Sequence, residues 1–345
     1  MIEHRNLSRG QMLLLCTLLH FAVDGICGAA VAAYAIGEPH FENIVFYCGL
    51  YNLIAFGGQW FMGWVLDRNA RWILPSFILV PVALGLGMLP AMGIFLQVML
   101  LGVGNCVFHV AAGILILRQY ETYGELGVFV SSGAVGLALG LHQFCGAGIF
   151  WLVCTAATAA VVYRIPEYLH AFITLEPESA DAPSGTPWIL WGGAMFMLGC
   201  VVLRGFNGGG SPIAGHVMLI PCVLAAGKTL GGICCDKIGY RKTILLIFIL
   251  GFLALQGTGL WLTLLLALSC NMTMPLTLRL AHWCCPQHPG LMFGLAAGCL
   301  LPGAFYGSSF SVAPQCMVVA QFLILFWAGY IVRRFGNYRP ARTGI

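Results

Sequence analysis

The chain has 345 residues, of which 60% are hydrophobic and only 8% charged, and its mean hydropathy is +0.90. A soluble domain carries roughly 25% charged residues, so the composition excludes a soluble globular protein and describes a polytopic membrane protein. The net charge of +4 comes from bases that follow membrane topology, and it implies no nucleic-acid partner. The fifteen cysteines are scattered, many inside apolar runs, with no C-x-x-C or mixed Cys/His spacing. They read as small packing residues, not as disulfides or metal ligands, and no metal or cofactor is expected.

In chain order, a short segment with Arg5 and Arg9 leads into an apolar run over about 11–36. That run is too long for a signal-peptide core and is interrupted by Asp24, so it reads as a first spanning helix. Further spans are expected over roughly 43–66, 72–89, 91–117, 125–143, 146–163, 188–206, 212–235, 242–256, 258–279, 290–308 and 314–333, twelve in all. The only long connection contains Glu176-Pro177-Glu178-Ser179-Ala180-Asp181-Ala182-Pro183-Ser184-Gly185, a polar, Pro- and Ser-rich stretch that reads as a linker. It divides the chain into 1–166, a linker over 167–187, and 188–345.

The bases test this topology. With both ends inside, fourteen of the sixteen Lys and Arg fall on the cytoplasmic side: Arg5, Arg9, Arg68, Arg71, Arg118, Arg164, Lys237, Arg241, Lys242, Arg279, Arg333, Arg334, Arg339 and Arg342. Only Arg204 and Lys228 do not. The positive-inside rule then fixes the orientation.

One figure occurs twice. Gly63-Trp64-Val65-Leu66-Asp67-Arg68-Asn69-Ala70-Arg71 is echoed by Gly232-Ile233-Cys234-Cys235-Asp236-Lys237-Ile238-Gly239-Tyr240-Arg241-Lys242, with the aspartates 236 − 67 = 169 residues apart. The spacing implies a tandem repeat with the same turn in each half. Each glycine lies one helical turn before its aspartate, where a missing side chain lets a second helix approach. The aspartate is placed to cap backbone donors or to hold a cation of the next turn. Such a unit is a conformational latch. Leu115-Ile116-Leu117-Arg118 answers Leu276-Thr277-Leu278-Arg279 in the same way.

The pattern G-x-x-x-D-[RK]-x-G-x-[RK]-[RK] resembles the loop signature of the major facilitator superfamily of transporters; the first copy departs from it at Ala70 and Trp72. The resemblance implies an all-α fold of twelve transmembrane helices in two pseudo-symmetric six-helix bundles, with a cavity lined by the first and fourth helix of each.

Polar groups at membrane depth must carry the chemistry. An ionisable group there costs at least about 2.5–3.5 kcal/mol on insertion scales, so each demands a reason. Asp24 is the only carboxylate well inside a span, and His20 precedes it by four residues on the same face. Asn105 and His109 repeat that spacing in span four. Asp24 and His109 are the candidate proton-coupling or substrate-polarity site, with His20 and Asn105 beside them; the competing reading is a hydrogen-bonded packing cluster. Lys228 lies eight residues before Asp236, about 12 Å along span eight. It suits an anionic substrate group or the charge of Asp24. Arg204, near the outer end of span seven, is either a second such cation or a snorkelling side chain. Tyr47, Tyr51, Asn52, Gln59, Asn271 and Thr273 are candidate neutral hydrogen-bonding groups.

His20-Phe21-Ala22-Val23-Asp24-Gly25, the Gly-x-Gly-Asn-x-x-Phe-His figure of span four and Phe129-Val130-Ser131-Ser132-Gly133-Ala134-Val135-Gly136 look like the fosmidomycin-resistance-type branch of the superfamily, which are bacterial exporters. That implies the bacterial inner membrane. This chain has Val110 where the branch has proline. The expected function is a secondary active transporter of a small solute, working as a monomer and driven by protons or another coupling ion, with export favoured; import or facilitated passage of a small organic anion is the alternative. No nucleotide-binding loop is present, and His20 and Asp24 lack the H-x-x-x-x-D spacing of acyltransferases, so no enzyme is expected. A non-transporting receptor or scaffold is the reading from another class.

Overall fold

The structure is a computed structural model that describes residues 2–174, 187–207, 217–257, 259–306 and 313–335. The linker stretch 176–185 and the bases Arg339 and Arg342 lie outside the described residues.

Among the described residues every regular element is a helix, as a bilayer requires of a chain whose backbone groups must be satisfied within each segment. In order they are α1 (Ile2–Gly37), α2 (Phe41–Asn52), α3 (Gln59–Arg68), α4 (Ile73–Gly87), α5 (Gly93–Gln119), α6 (Tyr123–Leu141), α7 (Ala147–Thr174), α8 (Pro187–Asn207), α9 (Leu219–Ile238), α10 (Tyr240–Ala254), α11 (Leu260–Cys284), α12 (Pro289–Gly298), α13 (Leu300–Tyr306) and α14 (Pro314–Phe335). A π-helical turn, Leu53–Gly57, joins α2 to α3 in one bent rod, and α12 runs into α13 through Cys299. Counted as rods there are twelve helices among the described residues, in the order expected for the segments. Nine helices among the described residues are long and apolar enough to cross a membrane by themselves. The exceptions are α7, α10 and the α12–α13 rod. The fifteen residues of α10 rise only about 22 Å against a hydrocarbon core of about 30 Å.

Two rods that the sequence presents as uninterrupted are broken, one at Leu53–Gly57 and one at Cys299. At Leu53–Gly57 the wider turn leaves carbonyls short of partners, and Gln59 donates its side-chain amide to Ala55 O at 2.6 Å. The turn between α9 and α10 is Gly239 at φ +86°, a left-handed conformation that favours glycine.

Small residues set the packing. α6 lies along α1, where Gly136 meets the Phe21 carbonyl and Gly140 the Gly25 carbonyl so closely that a Cβ would collide with backbone. Residues 2–174 supply most of one large apolar cluster around Phe77, Phe108, Phe129 and Phe150, which also takes in Leu198, Val201, Leu278, Phe293 and Ala296, whereas those from 187 onward supply most of two smaller ones, one of them joined by Tyr123. These two parts, called here the first and second halves, meet chiefly along α6–α9 and α3–α12.

The separation between halves changes along their length. Near the basic ends, a Cβ on Gly63, Gly232 or Gly294 would strike backbone of the other half. Toward the opposite ends, a Cβ on Gly298 would lie 3.6 Å from Phe56 O, and one on Gly49 4.0 Å from the Phe305 ring. At these glycines, among the described residues, the halves approach more closely toward the basic face than toward the other.

Candidate functional site

The residues expected at membrane depth in spans one and four come together. His20 and Asp24, one turn apart on α1, face Asn105 and His109, one turn apart on α5. Gly133 of α6 leaves the room they occupy: a Cβ there would collide with both His20 and Asp24. Asn105 Nδ2 donates to Asp24 Oδ1 at 3.0 Å. Asp24 Oδ2 lies 3.4 Å from His20 Nε2, and Oδ1 lies 3.7 Å from His109 Nε2. Asn105 is fully buried, His20 and His109 nearly so, and Asp24 keeps partial exposure.

The tautomers follow from the partners. His20 Nδ1 is 2.8 Å from the Phe129 carbonyl oxygen, and His109 Nδ1 is 2.9 Å from the Asn105 carbonyl oxygen. A carbonyl only accepts, so each Nδ1 carries hydrogen and donates. Both Nε2 atoms are then lone pairs in the neutral rings, yet they face each other at 2.9 Å beside a carboxylate. Three acceptors pointing at one spot repel unless a cation sits among them. One added proton resolves it, giving an imidazolium–imidazole pair next to Asp24. The same three groups have ligand atoms within 4.8 Å of one another, which is also the spacing of a small metal site. The amide oxygen of Asn105, buried beside them, has no hydrogen-bond partner.

A second cluster, of opposite sign, is built on α8, α9 and α11. Arg204 does not snorkel; it is 3% exposed, with NH1 3.5 Å from Thr273 Oγ1 and 3.4 Å from Thr277 Oγ1. Lys228 is partly buried on α9, within electrostatic reach of both Arg204 and Asp24. Neither cation has a carboxylate within 4.0 Å among the described residues.

The neutral candidates do not join either cluster, Thr273 excepted. Asn52, Gln59 and Asn271 donate to carbonyls of their own helices, Cys48 O, Ala55 O and Ala267 O. Tyr47 and Tyr51 instead line a cavity of about 320 Å³ in the first half, with Tyr34, Gln97 and Gln143.

The repeated turns are reciprocal clamps between the halves. Asp67, at the end of α3, accepts from the backbone N–H groups of Gly290 and Leu291, both at 2.8 Å, at the start of α12. Asp236, at the end of α9, accepts from Tyr123 N–H at 2.9 Å and Gly124 N–H at 2.6 Å, at the start of α6. Each aspartate thus fills orphan donors of a helix in the opposite half and sits at the positive end of its dipole. The glycines make this approach possible: Gly63 meets the Gly290 carbonyl, and Gly232 the Tyr123 carbonyl. Of the two roles open to the aspartates, the structure uses capping. The bases Arg68, Arg71, Lys237, Arg241 and Lys242 are exposed, and Arg68 stacks on Trp64 with 4.0 Å from its guanidinium carbon to the ring centroid.

Sequence reasoning missed a third clamp. Arg279, 1% exposed, donates to Leu117 O at 2.9 Å and Thr122 O at 3.0 Å, across from α11 to the end of α5 and the start of α6. Its signal was the Leu-Thr-Leu-Arg echo, which also contains the missed Thr277. The carbonyl of Phe129, which orients His20, carries no sequence signal at all.

No family model matches the chain, and no curated protein matches it in sequence. Its fold is shared with solved structures. One is a bacterial homologue of the iron transporter ferroportin in its outward-facing state with soaked iron, at TM-score 0.58 and 13% identity, covering 94% of this chain and 98% of that one. Another is a structure described in the same words without the soaked iron, at TM-score 0.56 and 13% identity, covering 95% and 98%. At that identity the likeness is one of fold alone, an all-helical architecture with several helices long and apolar enough to cross a membrane.

Proposed function

We propose that the chain is a secondary active transporter, twelve spans with both ends cytoplasmic, which moves a small solute by rocking its halves about a site near the bilayer midplane. The observation that carries this reading is the pair of facing Nε2 atoms beside Asp24. They create a nearly buried position that requires one positive charge, in helices that line the central cleft of the proposed transporter. The proton is the coupling ion, shared by His20, His109 and Asp24. Closure at the basic face, with the opposite ends looser, corresponds to an outward-facing state, the state of both structural neighbours. The resemblance to bacterial exporters favours efflux from the cytoplasm, by a monomer in the inner membrane.

The test is a solute screen in proteoliposomes with and without an imposed pH gradient, comparing the intact protein with Asp24→Asn and His109→Gln. Gradient-stimulated flux should fall to the ungraded level in both variants. Unchanged gradient dependence in Asp24→Asn defeats the coupling assignment.

A second reading makes the held cation a divalent transition metal and the solute itself. The two imidazoles and one carboxylate favour it, as a ligand set that suits first-row metals, and one fold neighbour was soaked with iron. Flux of Mn²⁺ or Fe²⁺ that is lost in His20→Ala and His109→Ala alike supports this reading; absence of such flux in the intact protein removes it.

A further inference from the structure

Resting on the transport reading, we infer that Arg204, with Lys228, Thr273 and Thr277, forms an oxyanion subsite, so that the solute carries a carboxylate or phosphate-type group. Two arginines, Arg279 and Arg204, are the most deeply buried among the described residues. Arg279 is paired at both ends of its fork, with two main-chain carbonyls accepting at 2.9 and 3.0 Å, and only its Nε is left without a partner. Arg204 is equally withdrawn from the surface, yet its protein partners are two neutral hydroxyls at 3.5 and 3.4 Å, beyond good hydrogen-bond length. Those hydroxyls are committed in one direction. Thr273 Oγ1 donates to Cys270 O at 2.6 Å and Thr277 Oγ1 to Met274 O at 2.9 Å, so each offers Arg204 only a lone pair.

A buried guanidinium with so little compensation is expensive, and a second cation makes it more so. Lys228 provides that second cation. The acid within electrostatic reach of Lys228, Asp24, is engaged by Asn105 and both imidazoles. Two cations of one half therefore lie without a carboxylate of the protein's own within 4.0 Å among the described residues. The guanidinium fork fits the two oxygens of a carboxylate or phosphate, and an ammonium adds a point charge. The sequence-stretch containing Arg204 ends beside Gly205, which packs on Gly303 of α13, so a change of bundle angle moves the fork with its half.

Binding is measured on purified full-length protein by calorimetry and thermal shift, with sodium succinate and sodium phosphate as separate arms and sodium chloride as the control. Succinate or phosphate should bind the intact protein; whichever does so identifies the class of oxyanion. Arg204→Gln should weaken that binding about tenfold or more, and Lys228→Gln by a smaller factor. Arg204→Lys keeps the charge without the fork and should fall between, which preserves the test where Arg204→Gln does not fold. Asp24→Asn should retain anion binding while losing gradient dependence. The inference is overturned when neither oxyanion binds the intact protein, or when the variants at 204 and 228 bind it undiminished. In either case, gradient-driven flux that still depends on Asp24 leaves the transport reading standing. Anion binding in a protein with no gradient-driven flux has the reverse meaning.

Discussion

Replacing Asp67 by asparagine isolates one clamp with little change in shape. The carboxylate uses one oxygen for each of two N–H groups, Gly290 and Leu291, at 2.8 Å. Asparagine keeps one acceptor and turns an amide NH₂ toward the other donor. Hydrogen bonds to a charged group are worth about 1.5–3 kcal/mol, and the lost charge also forfeits about 0.3–1 kcal/mol at the helix start. Since Asp67 is only partly buried, we take the hydrogen-bond figure alone. The closed arrangement should weaken by about 1.5–3 kcal/mol, or roughly 10–150-fold in its equilibrium with a form open at the basic face. Hydrogen exchange reads this directly, because these two amides sit in the first turn of α12, where a helix supplies no partner. Their exchange should accelerate by that factor, with a smaller rise along the facing parts of α3 and α12. Exchange within about twofold of the intact protein would refute the clamp.

Two further outcomes follow from the same packing. Gly294→Leu places a side chain against the Gln59 carbonyl of the other half; overpacking typically costs about 1–3 kcal/mol. Exchange should rise at the amides of Tyr123 and Gly124 as well as at Gly290, since a wedge between α3 and α12 strains both clamps. Tyr240→Phe removes a hydroxyl that donates to Leu325 O at 2.5 Å. It should lower the unfolding free energy by about 1 kcal/mol, read by thermal melting in detergent, with no effect on the exchange of Gly290.

Much of the fold was legible because the bilayer simplifies the code. Apolar runs of the right length can only be helices, and the bases alternate with them. The π turn at Leu53–Gly57 and the break at Cys299 were not legible: an apolar run reads the same whether or not its ladder slips. The acid cluster was legible from spacing, since Asp24 and His20, or Asn105 and His109, share a face by helical geometry alone. Sequence could not tell which face, nor reveal that both Nδ1 atoms would be occupied by carbonyls. Arg204 shows the limit from the other side. Its position near a span end suggested a snorkelling side chain, but α11 presents threonines that draw it inward. The latches were read as glycine-and-aspartate units. That each aspartate reaches a helix of the opposite half depends on how the halves are arranged, which no local pattern records.

The arrangement of α6 decides what rocking can and cannot change. Its first turn is capped by Asp236 of the second half, while the carbonyl of Phe129, about 7.5 Å further along, orients His20. Beyond that, Gly133, Gly136 and Gly140 hold it against α1. Because α1 and α6 interlock, the proposed rocking would break the cap but carry the His20–Asp24–His109 centre along intact. What would change is its distance from Arg204 and Lys228, so coupling in that scheme would act through charge between the halves. Gly136→Val separates these elements. A side chain there meets the Phe21 carbonyl, prises α1 from α6 and stretches the bond from His20 Nδ1 to Phe129 O, freeing the other tautomer. Gradient-dependent flux should then fall at least tenfold, on the scale of losing about 1.4 kcal/mol of alignment, while the amide of Gly124 stays protected by Asp236. Retained gradient dependence would show that the ring orientation is irrelevant to coupling. Loss of Gly124 protection would show that α1 and α6 do not move as one body.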